Sequence, residues 1–264
     1  MDFLLECIGF PPGQDESELV ARVLAEGESV PLRGAPEDHR RLALGGGLEL
    51  RLDREPGQDF WTLLPHCEVP YRLRVAVESV RSVPDSPFDA LLAGWAAPPL
   101  PADRFERDGG PGAYPLTCWL TDARRLPRRI RRGHVLAVSI AGFALDVTYV
   151  GPNSGVADAA YLALPHGFSV KPLEDPRSPG GCADVSARIK EILYLRNALT
   201  QRPVELLVTD APERPMLLFV SPWQLGEDGL PAPRPGWRVE GTFLFSGRLA
   251  GGIGSPKRRA PAFG

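Results

Sequence analysis

Residues 135–150, VLAVSIAGFALDVTYV, indicate the fold class of this chain. The runs Val135–Ile140 and Phe143–Val150 are rich in branched and aromatic side chains, a composition typical of β-strands. Between them, Ala141-Gly142 predicts a tight hairpin, because glycine adopts the positive φ angles that two-residue turns require. The segment therefore favours a protein built from antiparallel strands.

Further strands are predicted on both sides of this segment. In Leu48–Leu52 and Tyr71–Val77 every second residue is apolar, as in a strand with one buried face. The glycines at 45–47 predict a hairpin turn just before the first of these strands. Apolar runs predict three more strands, at Val204–Thr209, Met216–Val220 and Trp237–Phe245.

Residues 185–199 fit two periodicities. Ile189, Ile192 and Leu199 suit one face of a helix, whereas alternation with one bulge suits a strand. We favour the strand, because it would turn at 197–202 and continue into the next predicted strand.

The segment 187–250 then holds four or five strands, which is enough for a small barrel of the OB type. Such barrels bind oligonucleotides or oligosaccharides on one face. We find no fixed repeat period and no shared motif between the halves of the chain, and tandem related β domains remain an alternative.

Two helices are predicted. The first covers Asp15–Glu26, where the aspartate can cap the N-terminus, Glu18 completes a capping box and Gly27 ends the helix. The second is shorter and starts at Ser86, with the following proline in its first turn.

Charge and loop composition divide the chain into two domains. Residues 1–110 hold 20 acidic and 11 basic residues, whereas residues 111–264 hold 13 acidic and 19 basic residues. The stretches 97–115 and 171–182 are rich in proline and glycine. The predicted fold class is therefore a β-rich α+β protein with two small antiparallel-sheet domains. We predict an acidic α+β domain at 1–112, a basic β-rich domain at 113–253 and a flexible tail at 254–264.

Cysteine usage and the start of the chain predict a cytoplasmic protein. No two cysteines form a C-x-x-C pair, and their mostly apolar neighbours predict reduced, buried thiols. The first residues lack a basic segment followed by a continuous apolar run, so they do not resemble a secretory signal. No apolar run approaches the roughly 20 residues of a membrane-spanning helix. The cysteines are Cys7, Cys67, Cys118 and Cys182.

The densest charge in the chain is an arginine cluster at residues 124–132. Six of its nine residues are arginine: Arg124, Arg125, Arg128, Arg129, Arg131 and Arg132. Pro127 breaks any long helix there, so we expect a turn or short helix that leads into a strand near His134. Concentrated positive charge predicts a surface for an anionic partner. The alternatives are a solvated connector and internal pairing with the acidic half.

Four aromatic residues are candidates for a binding face beside this cluster: Trp119, Tyr194, Trp223 and Trp237. The alternative is that they fill the core or its rim. Nucleic-acid sites usually interleave aromatic side chains with basic ones, so that bases can stack. Because no aromatic residue lies within the cluster, an acidic protein is favoured over nucleic acid as the partner.

Signs of catalysis or of a metal site are few. No two of the four histidines lie three or four residues apart, and no G-x-S-x-G elbow is present. We therefore predict no catalytic residue, metal or cofactor.

The hypothesis is a non-catalytic cytoplasmic binding or adaptor protein that holds an anionic partner through the arginine-rich turn. The alternative is an enzyme or small-ligand binder with a pocket between the two domains, built from His66, Glu68 and His134. The sequence does not indicate an oligomeric state.

Overall fold

A computed structural model describes residues 2–29, 39–54, 59, 61–83, 86–99, 112–127, 129–151, 167–173 and 180–250. The helices in these ranges are α1 (Asp2–Glu6), α2 (Glu16–Glu26) and α3 (Pro222–Glu227), with a 3₁₀ turn at Ala123–Arg125. The strands are β1 (Glu28–Ser29), β2 (His39–Gly45), β3 (Leu48–Asp53), β4 (Thr62–Cys67), β5 (Leu73–Val83), β6 (Ser86–Ala96), β7 (Tyr114–Leu120), β8 (Val135–Val150), β9 (Ser169–Pro172), β10 (Cys182–Arg196), β11 (Pro203–Thr209), β12 (Met216–Val220) and β13 (Arg238–Leu249).

These strands form two sheets. The N-terminal sheet is antiparallel, with the order β1-β2-β3-β4. The larger sheet has nine strands in the order β11-β12-β8-β5-β6-β7-β13-β10-β9, with additional pairings between β10 and β11 and between β8 and β13. The pairs β8–β12 and β7–β13 are parallel. The β-rich class is thus confirmed, but the larger sheet is mixed where the sequence predicted antiparallel sheets only.

The pairings of the larger sheet close two circuits of five strands, which share β8 and β13. In the first circuit the order is β8-β5-β6-β7, and β13 closes it between β7 and β8. In the second the order is β13-β10-β11-β12, and β8 closes it between β12 and β13. Each set of four is a Greek key, because its fourth strand returns to lie beside its first. We call β5–β8 the first unit and β10–β13 the second unit.

The two units correspond residue by residue where they meet. In the first unit Leu120 of β7 pairs with Gly247, and in the second unit Phe219 of β12 pairs with Phe143. A short helical element follows each of these strands. It donates a hydrogen bond to the strand with which the preceding strand pairs, β13 in the first unit and β8 in the second. The bonds run from Arg125 to the carbonyl of Leu249 (3.3 Å) and from Gln224 to the carbonyl of Leu145 (3.4 Å). The topology therefore repeats, although the sequence shows no shared motif.

The predicted hairpin at Ala141-Gly142 is wrong, because β8 continues through both residues without a turn. A Cβ atom on Gly142 would lie 2.7 Å from Cδ2 of Leu218 and 2.9 Å from Cε1 of Phe245. Both distances are shorter than van der Waals contact. The glycine is therefore needed for close packing of side chains from β12 and β13 and not for a turn.

The predicted helix at Ser86 is also wrong, because these residues form β6. This strand pairs with β5 on one side and β7 on the other. Phe88 and Asp89 are both buried in it. Hydrogen bonding on both edges and burial of consecutive side chains favour the strand over the local preference for a helix.

Three other predictions about local structure are confirmed. Residues 182–196 form one strand with a bulge between Ile189 and Glu191, and it turns into β11 as expected. Helix α2 begins after Asp15, whose carboxylate accepts a hydrogen bond from Ser17 N (2.8 Å). The four cysteines are free and buried.

The division into domains near residue 112 stays a prediction. The nine-stranded sheet takes strands from both sides of this position. The tail predicted at 254–264 lies outside the described residues. Among the described helices, none is long and apolar enough to cross a membrane.

The packing around Gly241 in β13 gives a test of the shared strand pair. A Cβ atom at this position would fall on the carbonyl oxygen of Asp146 in β8. We therefore expect Gly241→Ala to lower the free energy of unfolding by about 1–3 kcal/mol, the range for overpacked sites. Urea denaturation measures this change. The control is Gly226→Ala in α3, where a Cβ atom would meet nothing within 4 Å. Equal stability of the two variants would contradict the close approach of β8 and β13.

Candidate functional site

A cavity of about 460 Å³ lies where the N-terminal sheet meets the larger sheet. We call it the junction pocket. Its volume falls in the range of small-ligand sites. Apolar walls come from segment 69–70 and from residues 249–250 at the end of β13. The other residues used below are Gly46, Gly47, Glu68, Arg72, Arg125, Ser139 and Arg248.

Arg125 reaches the pocket from the 3₁₀ turn between β7 and β8. Its Nη1 donates to Oδ2 of Asp122 (3.0 Å) and to the carbonyl of Leu249 (3.3 Å). The other carboxylate oxygen of Asp122 accepts a hydrogen bond from Leu249 N (2.9 Å). Burial raises the pKa of Asp122, while this backbone hydrogen bond and Arg125 act to lower it. The turn is thus fixed to the end of β13, with the Arg125 side chain 40% exposed.

Arg248 enters the pocket from β13 and is also partly neutralised. Its Nη1 lies 3.4 Å from Oε1 of Glu49 in β3, and Arg41 lies 3.3 Å from the other oxygen of this carboxylate. Burial raises the pKa of Glu49, and the two arginines act to lower it. The guanidinium groups of Arg41 and Arg248 therefore share the carboxylate of Glu49.

Arg72 is exposed and makes no ion pair or side-chain hydrogen bond with any described residue. It follows segment 68–70, which Ser139 of β8 fixes by hydrogen bonds to the backbone of Val69 (3.2 and 3.3 Å). The acidic side chain in the pocket lining is Glu68, also exposed. The lining therefore holds three arginines and one glutamate, and two of these arginines pair with Asp122 and Glu49 outside it, so Arg72 carries the charge that no described residue neutralises.

The structure divides the arginine cluster among different roles. Arg124 lies over the ring of Phe88, 4.6 Å from its centroid, and Arg132 pairs with Glu78 (2.8 Å) at the surface. Arg129 and Arg131 are exposed and have no ion pair with any described residue. Arg128 lies outside the described residues. Of the described members, Arg125 is the one that lines the junction pocket.

The four candidate aromatic residues lie on different elements. Tyr194 in β10 is 69% exposed. Trp119 in β7 is half-buried. Trp223 in α3 lies under Arg202, and Trp237, just before β13, lies under Arg234. Within the described part of the chain, no ring contact joins any two of them.

Of the three polar residues nominated for an enzyme, only Glu68 lines the pocket. His66 is 1% exposed, and its Nδ1 is hydrogen-bonded to Oγ of Ser246 (2.9 Å). Burial, and then the charge of Arg248, lower the pKa of His66 to about 3. His134 is exposed, and its Nδ1 accepts a hydrogen bond from Arg131 N (3.3 Å). The nominated groups therefore do not converge as an acid–base pair.

A buried charge cluster went undetected in the sequence. Nη2 of Arg51 in β3 lies 2.7 Å from Oδ1 of Asp89 in β6 and also contacts Asp53, which pairs with His39. All four side chains are at most 8% exposed. Burial alone would lower the pKa of Arg51, but the two carboxylates raise it. The cluster joins the N-terminal sheet to the larger sheet, and alternation in 48–52 had placed Arg51 on a solvent-facing side.

Comparison of the chain with protein-family models, with curated proteins and with solved structures found no match. Among the residues that the structure describes, no three His, Cys, Asp or Glu side chains are grouped to hold a metal ion. The function must therefore be argued from the junction pocket and the surface beside it.

Removal of Arg51 tests whether the buried charge cluster holds the two sheets together. Arg51→Met leaves two carboxylates buried without a cation, and we expect it to lower the free energy of unfolding by about 3–5 kcal/mol. Adding Asp53→Asn and Asp89→Asn should restore part of this loss. Urea denaturation measures the stability of both variants. The control is Arg22→Met, which breaks an exposed pair with Glu26 and should lower the free energy of unfolding by less than about 1 kcal/mol. A similar small loss for Arg51→Met would show that the cluster is not a structural tie.

The low pKa of His66 predicts a specific loss of stability in acid. Between pH 6.5 and about 3 the unfolded chain binds a proton at this residue and the folded chain does not. Stability therefore falls as the pH is lowered through this window, by up to about 1.4 kcal/mol per pH unit. His66→Gln removes the titrating group, so the stability difference between wild type and variant should shrink by this slope from pH 6 to pH 4. A constant difference across this range would mean that the folded protein binds a proton at His66 as readily as the unfolded chain does, which would contradict the lowered pKa.

Proposed function

We propose that this chain is a non-catalytic binding protein that holds an anionic partner at the junction pocket and at the exposed arginines of segment 129–131. The observation that carries the proposal is the set of guanidinium groups of Arg72, Arg125 and Arg248 around one cavity. Arg72 has no ion pair with any described residue, so its charge is available to a ligand. Guanidinium groups bind carboxylates and phosphates through paired hydrogen bonds.

An acidic protein segment fits this site better than nucleic acid. Among the described residues that line the pocket, none has an aromatic side chain on which a base could stack. Two further arginines, Arg129 and Arg131, are exposed in the segment that leads from Arg125 to β8. They add positive charge along the chain after Arg125, and an extended chain of carboxylates would reach from the pocket to this segment.

A second candidate is a binder of a small anionic molecule, with or without catalysis. The size of the cavity and its place between the two sheets support this reading. Catalysis is less favoured, because Glu68 is the acidic side chain of the lining and His66 is buried behind it, bonded to Ser246.

We also propose that each closed circuit is a five-stranded barrel of the OB type. The support is the number of strands, the Greek-key order and the closure through β8 and β13. The second of these barrels would contain β10–β13, the segment in which the sequence predicted one. A cytoplasmic location and the two-domain division are proposed on the sequence arguments given above.

Charge reversal at the exposed arginines tests the proposed function. We expect Arg129→Glu/Arg131→Glu to weaken binding of poly-L-glutamate roughly tenfold at low salt, because two attractive charges become repulsive. Fluorescence anisotropy with labelled polymer measures the affinity. The control, Arg81→Glu/Lys190→Glu, changes the net charge equally at exposed positions outside the cluster.

Three results would contradict the proposal. The first is that the wild-type protein does not bind poly-L-glutamate. The second is that the two double variants weaken binding of the polymer by the same factor. A single-stranded oligonucleotide that binds more tightly than poly-L-glutamate, with the same dependence on Arg129 and Arg131, would replace the acidic protein with nucleic acid.

A further inference from the structure

The correspondence between the two units shows what occupies the place of the junction pocket in the second unit. Gln224 corresponds to Arg125, and Leu145 corresponds to Leu249, because each pair makes the same hydrogen bond. By the same register, Ala144 in β8 corresponds to Arg248 in β13. The surface around Ala144 is therefore the counterpart of the arginine-lined wall.

The chain covers this counterpart surface with its own helix α1 and the turn that follows. Sγ of Cys7 donates to the carbonyl of Ala144 (3.6 Å). The carboxylate of Glu6 accepts a hydrogen bond from Oγ of Ser221 (3.0 Å). Ser221 caps α3, and Asp122 precedes the 3₁₀ turn at the corresponding place in the first unit. A short helical segment is thus the cover that the second unit already uses.

The covering segment is acidic and apolar. Helix α1 has the sequence DFLLE, with acidic residues at both ends. Leu4 and Leu5 are buried in the hydrophobic core, 7% and 2% exposed. Leucines face the protein while Glu6 bonds to the residue that caps the neighbouring helix.

In the first unit the described residues cover the corresponding surface only in part. His66 of β4 bonds to Ser246 of β13, and Glu49 of β3 pairs with Arg248. Between these contacts the described residues leave a cavity, which is the junction pocket. Its walls combine three arginines with apolar residues, of which Pro70 and Ala250 are the more exposed, while Val69 and Leu249 are buried. Such a lining complements a segment that carries both carboxylates and leucines.

We propose that the junction pocket binds a short helical segment of a partner protein that carries acidic residues on either side of paired leucines, as α1 does in the second unit. This inference rests on the proposed function and specifies its ligand. The apolar walls distinguish it from a purely electrostatic surface, since they would bury leucine side chains that a polyanion lacks. Arg72, which has no ion pair with any described residue, would contact a carboxylate of this segment.

The test uses a fluorescein-labelled peptide that copies residues 2–10 with Cys7 replaced by serine. We expect the full-length protein to bind it, and Arg72→Ala to weaken binding about tenfold, the loss expected for one charged hydrogen-bonded contact. Arg81→Ala, an exposed arginine outside the pocket lining, is the matched control and should leave affinity unchanged. Fluorescence anisotropy measures all affinities, and dependence on Arg72 shows that the peptide occupies the junction pocket and not the place of α1.

Two altered peptides separate charge from apolar contact without a change in the protein. Replacement of both acidic residues by their amides, or of both leucines by alanine, should each weaken binding at least tenfold. Equal binding of the leucine-free peptide would overturn the inference and leave the proposed function standing, as would binding of poly-L-glutamate but no peptide. Failure of every acidic probe would overturn both. Tighter, Arg72-dependent binding of a single-stranded oligonucleotide would overturn the inference in favour of nucleic acid.

Discussion

The pairing of β8 with β13 is the interaction on which the rest of the structure depends. This antiparallel ladder runs from the pair Val150–Arg238 to the pair Val138–Leu249. Both five-stranded circuits close through it, so neither unit can complete its set of strands without the other. The ladder also builds the candidate site, because Arg248 pairs directly with Ser139 and both face the junction pocket. These contacts join residues that are distant in the sequence, so their formation has a large entropic cost of loop closure. For the same reason they leave little pattern in any short stretch of sequence.

Polar contacts hold the N-terminal sheet in place. Arg51 reaches Asp89, His66 reaches Ser246 and Glu49 reaches Arg248. A buried ion pair adds little net stability, because desolvation offsets most of its attraction. If the N-terminal sheet docked in another position, however, these buried charges would be left unpaired, which is costly. We infer that these contacts fix where the N-terminal sheet docks. That position matters for the site, because the β2–β3 turn at Gly46 and Gly47 forms part of the pocket wall.

Strands were predictable from the sequence where alternation was local and strong, and helix α2 from its capping aspartate. Two errors have one physical cause, which is that local propensity yields to packing against distant residues. Gly142 resembles a turn residue, yet Leu218 and Phe245 leave no room for a side chain there. Ser86 resembles a helix start, yet β5 and β7 hydrogen-bond to both edges of that segment. The repeated topology was invisible because strand order, unlike strand formation, leaves no pattern in the sequence.

The same limit applies to the candidate site. Density of arginine along the chain identified one residue of the pocket, Arg125, whereas Arg72 and Arg248 come from distant parts of the sequence. Within the cluster itself, Arg124 packs on Phe88 and Arg132 pairs with Glu78, so part of its charge is used internally. A charge run therefore shows where positive side chains are abundant, and only the fold shows which guanidinium groups surround one cavity. Because the second unit covers the equivalent surface with an acidic and apolar helix, the arrangement in the first unit indicates a place for a similar segment from another protein.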